Sequence, residues 1–281
     1  MKFLPLLLTL ALAVLPALRA AESESMADRT LRQLVERQKD LLADAAKKNP
    51  QFDEDNFRLQ MEQVCQGYEL LLRDNPKYAP GYAAYGYLLS KIGQGKASVA
   101  MLLKANQLDP DLPLVKNQLG NFLAEEGRPL EALPYFLAAI KLAPKEPLYH
   151  YQLGTLLHEA RDDFIKSGEW TADGLTHSMH EAFRQAAELA PDRIEFTYRY
   201  AESFYDLDPP DWDGALKAWN RLEAQAQTDL ERQTMRLHAA NVLVKQGEFA
   251  RARLLLDTVT EPALSAQRQK VIAELPAKAE K

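Results

Sequence analysis

Residues 113–144 read PLVKNQLGNFLAEEGRPLEALPYFLAAIKLAP, and this stretch decides the fold. It holds two runs of helical period joined at Gly127-Arg128-Pro129. In the first run Val115, Leu119, Phe122 and Leu123 fall at i, i+4, i+7 and i+8 and share one helix face. In the second, from Leu130 to Leu142, the expected apolar stripe is Leu133, Phe136, Leu137 and Ile140. Pro144 ends that run, because the residue before a proline is biased away from the helical region. The stretch is one helical hairpin.

The same punctuation recurs. Asn75-Pro76, Asp109-Pro110 and Ala143-Pro144 are 34 residues apart, and Ala190-Pro191 follows after 47, one more period plus 13 residues. A fixed period of that length marks a repeated helical hairpin. Each unit also carries a small residue after a large apolar one in its first helix: Tyr85-Gly86, Leu119-Gly120, Leu153-Gly154 and Tyr200-Ala201. The second helices carry Ser98, Leu102 and Ala105; Ala132, Phe136 and Ala139; Met179, Phe183 and Ala186; and Ala215, Trp219 and Leu222. Small residues let two helices approach closely, and the large one fills the gap beside them. By these motifs the chain resembles the tetratricopeptide repeat family over roughly residues 79–259, in five units. It departs from the pattern at Gln227, where the closing proline of the Trp219 unit would fall.

The resemblance implies an all-α fold: a right-handed tetratricopeptide repeat solenoid of about five to six helical hairpins with helical caps. Residues 1–20 read as a signal peptide, with one positive charge, a long apolar run and small residues at the end. An uncleaved anchor is the alternative. Residues 21–78 form an N-terminal helical cap in two segments, with Leu31, Leu34, Val35, Leu41 and Leu42 on the first and Met61, Val64, Tyr68, Leu71 and Leu72 on the second. Residues 79–261 are the solenoid, with the 13-residue insert near 162–174. The insert is expected to extend a helix and loop out, with Trp170 either folded back on the hairpin or on a binding surface. Residues 262–281 are a C-terminal capping helix and tail.

The formal charge is −6, two units more negative once Lys2 and Arg19 leave with residues 1–20. No basic stripe is present, so nucleic acid is not the expected partner. Cys65 is the only cysteine, which excludes an internal disulfide and suggests a packed thiol. Export without a disulfide framework fits a periplasmic or secreted protein of a bacterial envelope. Membrane contact is expected only if the N-terminal segment stays uncleaved.

Chemistry is sparse. His158-Glu159-Ala160-Arg161-Asp162 has Asp162 where a zinc-protease helix needs its second histidine. His177, His180 and Glu181 lie within a helical turn, with no assignable third ligand. No phosphate loop or nucleophile elbow is present. The expectation is a non-enzyme with no cofactor and no metal. What the resemblance implies is a concave surface lined by first helices that binds a protein or peptide. Its positions map to Tyr87, Asn117, Asn121, Tyr151, Thr155, His158, Tyr198, Glu202 and Tyr205. Asn121 matches a carboxylate-clamp asparagine known in one subtype, but Asn117 and Tyr151 stand where other clamp residues are wanted. The rival expectation is a structural subunit of an envelope assembly, held by caps or convex surface.

Overall fold

The computed structural model describes residues 25–47 and 52–276; the leader at 1–20 and the stop at Pro50 lie outside the described residues. Among the described residues there are fourteen α-helices and no strand. The chain divides into two compact units between Phe122 and Leu123.

The first unit contains α1 (Met26–Ala46), α2 (Glu54–Asp74), α3 (Ala79–Lys91), α4 (Gly95–Leu108) and most of α5 (Pro113–Glu125). Ser25 and Asp53 cap α1 and α2 through side-chain oxygens that accept from the third residue onward, satisfying one orphan N–H each. Leu31, Leu34, Val35, Leu41 and Leu42 of α1 pack with Met61, Val64 and Tyr68 of α2 and with Leu88 of α3. Tyr68 donates its buried hydroxyl to Gln38 at 2.7 Å. Cys65 is half-buried beside this core, and burial raises its thiol pKa, so it is not thiolate-poised. The close approach of α3 and α4 rests on Gly86. A Cβ there would lie 2.8 Å from Leu102 Cγ, and the Ser98 hydroxyl already donates to the Gly86 carbonyl at 2.8 Å.

The second unit holds the end of α5 and then α6 (Pro129–Leu142), α7 (Pro147–Glu159), α8 (Arg161–Lys166), α9 (Ala172–Leu189), α10 (Ile194–Ser203), α11 (Trp212–Gln225), α12 (Asp229–Lys245), α13 (Phe249–Leu256) and α14 (Ser265–Ala273). Gly127 turns the chain into α6 with φ 71°, a left-handed backbone that side chains resist. The α6 stripe differs from the expected one. Ala132, Phe136 and Ala139 are buried, while Leu137 is 49% exposed. The small residues face inward because they set the helix spacing, and that rotates Leu137 out. α7 meets α9 at Gly154, where a Cβ would come within 2.7 Å of the Phe183 ring.

The insert does not loop out. α7 stops at Glu159, and residues 161–166 form the separate helix α8, whose Phe164 is fully buried. Trp170 is half-buried and packs edge-on against Phe164, with ring centroids 5.7 Å apart. The remaining insert residues lengthen α9 at its start, where the Thr171 hydroxyl accepts from Gly174 N–H. Further along, Asp211 caps α11. A capping box of Thr228 and Glu231 starts α12 just where the expected proline is missing. α14 then packs on α12 and α13 through Val271, joined by Leu264 of the turn just before it.

Candidate functional site

The nine groove positions fall into three groups. Tyr87 and Asn117 are buried, and both amide atoms of Asn117 lack a hydrogen-bond partner. Neither side chain is a free surface residue, contrary to their expected place on an open face: each sits on a helix side that packing covers. Asn121, Tyr151, Thr155, Tyr198, Glu202 and Tyr205 are half-buried, and His158 is exposed at the end of α7. Tyr87, Asn117 and Asn121 belong to the first unit and the other six to the second.

Within the second unit α7 and α10 both pack on α9 and meet each other through side chains. The Tyr151 ring is 4.7 Å from Phe196 of α10 and 5.8 Å from Phe183 of α9. Thr155 donates its hydroxyl proton to the Tyr151 carbonyl at 3.0 Å and also meets the Tyr151 hydroxyl. On α10, Glu202 takes a hydrogen bond from Arg199 at 2.9 Å. The resulting face offers aromatic area with polar edges: Tyr151, Thr155 and His158 beside Tyr198 and Glu202. Burial raises the Tyr151 pKa and pushes Tyr198 and Tyr205 up to about 12, so all three hydroxyls stay neutral hydrogen-bonding groups.

Three residues outside the expected set organise this face: Arg199, Trp219 and His238. They build two junctions of the same design. In one, Tyr151 and the Arg199 guanidinium both lie against Phe183, each 5.8 Å from its ring, and Arg199 also reaches the Tyr151 hydroxyl. In the other, Tyr198 and His238 both lie against the fully buried Trp219. Tyr198 meets it edge-on at 5.2 Å, and the imidazole stacks at 4.1 Å, tilted by only 8°. Tyr198 Oη is 3.2 Å from His238 Nε2. Each junction thus links the first helix of one hairpin, the second helix of that hairpin and the first helix of the next.

A signal for this was present in the chain. Gln118, Gln152, Arg199 and His238 each stand two residues before the small residue of their unit, Gly120, Gly154, Ala201 and Ala240. A polar residue recurring in phase at a packed position marks a junction between hairpins.

The other histidines do structural work. His180 Nδ1 is 2.8 Å from the Ser203 hydroxyl, and its ring sits edge-on to Phe204 at 4.5 Å. His177 Nδ1 is 3.0 Å from the Asp173 carbonyl. Among the described residues no three His, Cys, Asp or Glu side chains are grouped to hold a metal ion, and no helix is long and apolar enough to cross a membrane.

The tetratricopeptide repeat model matches residues 115–146, the stretch in which α5 and α6 lie. No curated protein matches the chain. Solved structures share the fold at low identity. YrrB, described as a TPR protein with an unusual peptide-binding site, is 17% identical with a TM-score of 0.61, covering 74% of this chain and 99% of its own. PilF of Pseudomonas aeruginosa is 17% identical with a TM-score of 0.59, covering 89% and 100%. PilW, a widely conserved type IV pilus biogenesis factor, is 13% identical with a TM-score of 0.56, covering 88% and 98%. Hairpins closed on small residues, the matched repeat and the shared fold lead to one conclusion: the chain carries a tetratricopeptide repeat at residues 115–146 and has the all-helical fold of tetratricopeptide-repeat structures.

Proposed function

We propose that this protein is an exported, non-enzymatic scaffold that binds a protein or peptide on the concave face of its first helices. The observation that carries the reading is the face shared by α7 and α10. It leaves Tyr151, Thr155, Tyr198 and Glu202 part-exposed and His158 exposed on rigid helices, with neutral tyrosine hydroxyls. Tyrosine supplies contact area at little entropic cost, and its hydroxyl pairs with peptide main chain. The likeness to YrrB, described as having a peptide-binding site, supports this use of the fold, and the likeness to PilW supports an envelope setting. No cofactor enters the reading. The leader-like residues 1–20 support export to a periplasm.

The test is affinity capture from an envelope extract with the mature chain and with a Thr155→Ala, His158→Ala, Glu202→Gln variant. These three side chains are polar and lie outside the fully buried core, and circular dichroism verifies that the variant keeps its helicity. A partner captured by the parent and lost with the variant supports the groove. A partner retained equally by both refutes it.

A second reading is a structural subunit of an envelope assembly. It rests on outward-facing leucines of the second helices: Leu137 at 49% exposure on α6 and Leu254 at 71% on α13. Leu137→Glu with Leu254→Glu abolishes capture under this reading and leaves it unchanged under the first.

A further inference from the structure

We infer that Tyr198, Trp219 and His238 form an acid-operated latch, which holds the last hairpin (α12 and α13, with α14) on α10 and α11 while the imidazole is neutral and releases it on protonation. The inference is independent of what occupies the groove.

The geometry carries it. His238 lies flat on an indole that is fully buried, and its Nε2 is 3.2 Å from the hydroxyl of Tyr198 in the preceding hairpin. The ring also sits 6.4 Å from Tyr205, whose hydroxyl donates to the His238 carbonyl at 3.4 Å. A proton added here places a charge in a desolvated slot, and burial alone depresses the ring to about 4. No counter-ion is at hand. From α10, the Glu202 carboxylate is held by Arg199 at 2.9 Å. From α11, Glu223 is held by Arg236 of α12 at 2.6 Å. Asp206, in the turn after α10, is exposed. On the far side, Arg253 of α13 bonds the Pro276 carbonyl, Arg268 of α14 bonds the Leu256 carbonyl, and Glu274 pairs with Lys245. Arg251 of α13 and Lys270 of α14 are exposed. None of these charged groups contributes to the His238 shift. The indole face offers the cation some return, but less than the hydration it loses.

The equivalent slot one hairpin earlier holds Arg199, which stays charged at every pH of interest and already has Glu202 as its partner. Acid therefore acts on one junction and leaves the other closed. Release uncovers Trp219 and the faces of Met235, Ala239 and Val242 that pack with it, an apolar surface absent at neutral pH.

Two measurements test the latch. Trp219 fluorescence is followed in a Trp170→Phe, Trp212→Phe chain, since release exposes the buried indole to water and shifts its emission to the red. The expected result is a titration with its midpoint near pH 4. Amide exchange, corrected for intrinsic rate, is then compared between α12–α14 and α7–α10 at pH 7 and 4.5. Protection in α12–α14 is expected to fall about tenfold further than in α7–α10, and His238→Asn removes the difference. Equal loss in both segments, or an unchanged difference in His238→Asn, overturns the latch. Should that variant fail to fold, Tyr198→Phe keeps the ring and deletes the hydroxyl. The protection of α12–α14 relative to α7–α10 at pH 7 is then expected to fall, because the bond that closes the latch is gone, and an unchanged difference overturns the latch.

Discussion

The junction at Phe183 and the junction at Trp219 solve one packing problem with opposite electrostatics. Both wedge a second-helix aromatic between a tyrosine of its own hairpin and a polar residue of the next. At Phe183 that residue is Arg199, part-exposed and paired with Glu202. At Trp219 it is His238, neutral and more deeply covered. A repeat therefore constrains shape at this slot and leaves charge free to vary. The choice decides whether a junction answers to salt or to acid.

The comparison breaks most severely at the aromatic itself. Trp219→Ala removes a fully buried side chain and should cost about 3–5 kcal/mol, read as a lowered urea midpoint with little change in slope. Acid comes next. His238 titrates at about 4 in the folded chain against an ordinary 6.5. Between those values the unfolded chain binds the proton and the folded chain does not, so stability falls as pH drops from about 6.5 toward 4. The loss amounts to roughly 2–3 kcal/mol. Urea midpoints at pH 7 and 4.5 measure it, and the part due to this ring disappears in His238→Asn. Gly154→Ala ranks third, since the new Cβ meets the Phe183 ring at 2.7 Å. It should cost about 1–3 kcal/mol by overpacking, seen in the melting temperature. The smallest effect belongs to Arg199→Met, which keeps a stem on Phe183 but loses the cation. About 0.5–1 kcal/mol is expected in dilute buffer, shrinking as salt is added. A salt-independent loss would mean that the stem, not the charge, makes the contact.

Most of the architecture was legible before the coordinates. The prolines at Pro76, Pro110, Pro144 and Pro191 mark the ends of second helices, and Gly86 and Gly154 stand where helices touch. The join read at Gly127-Arg128-Pro129 is the turn between α5 and α6, with Gly127 at φ 71°. These are local signals with one physical meaning each. What escaped reading depends on neighbours far along the chain. Hydrophobicity alone points Leu137 inward, whereas the small Ala132 and Ala139 hold the inner face. Tyr87 and Asn117 have the right spacing for an open face but are covered, which spacing on one helix cannot reveal. Trp170 was readable only as an alternative, and α8 beneath it supplies the surface it packs on. His238 drew no notice because its partner Tyr198 is 40 residues away, and only its phase with Arg199 marks it.

The measurement that bears most directly on the scaffold account is site-specific photocrosslinking in cells, with the photoreactive residue placed in turn at His158 and Thr155 on α7 and at Leu137 and Leu254 on the outer faces of α6 and α13. The account predicts a discrete adduct from positions 158 and 155 and none from 137 or 254. Adducts confined to 137 and 254 would contradict it and place the partner on the second helices.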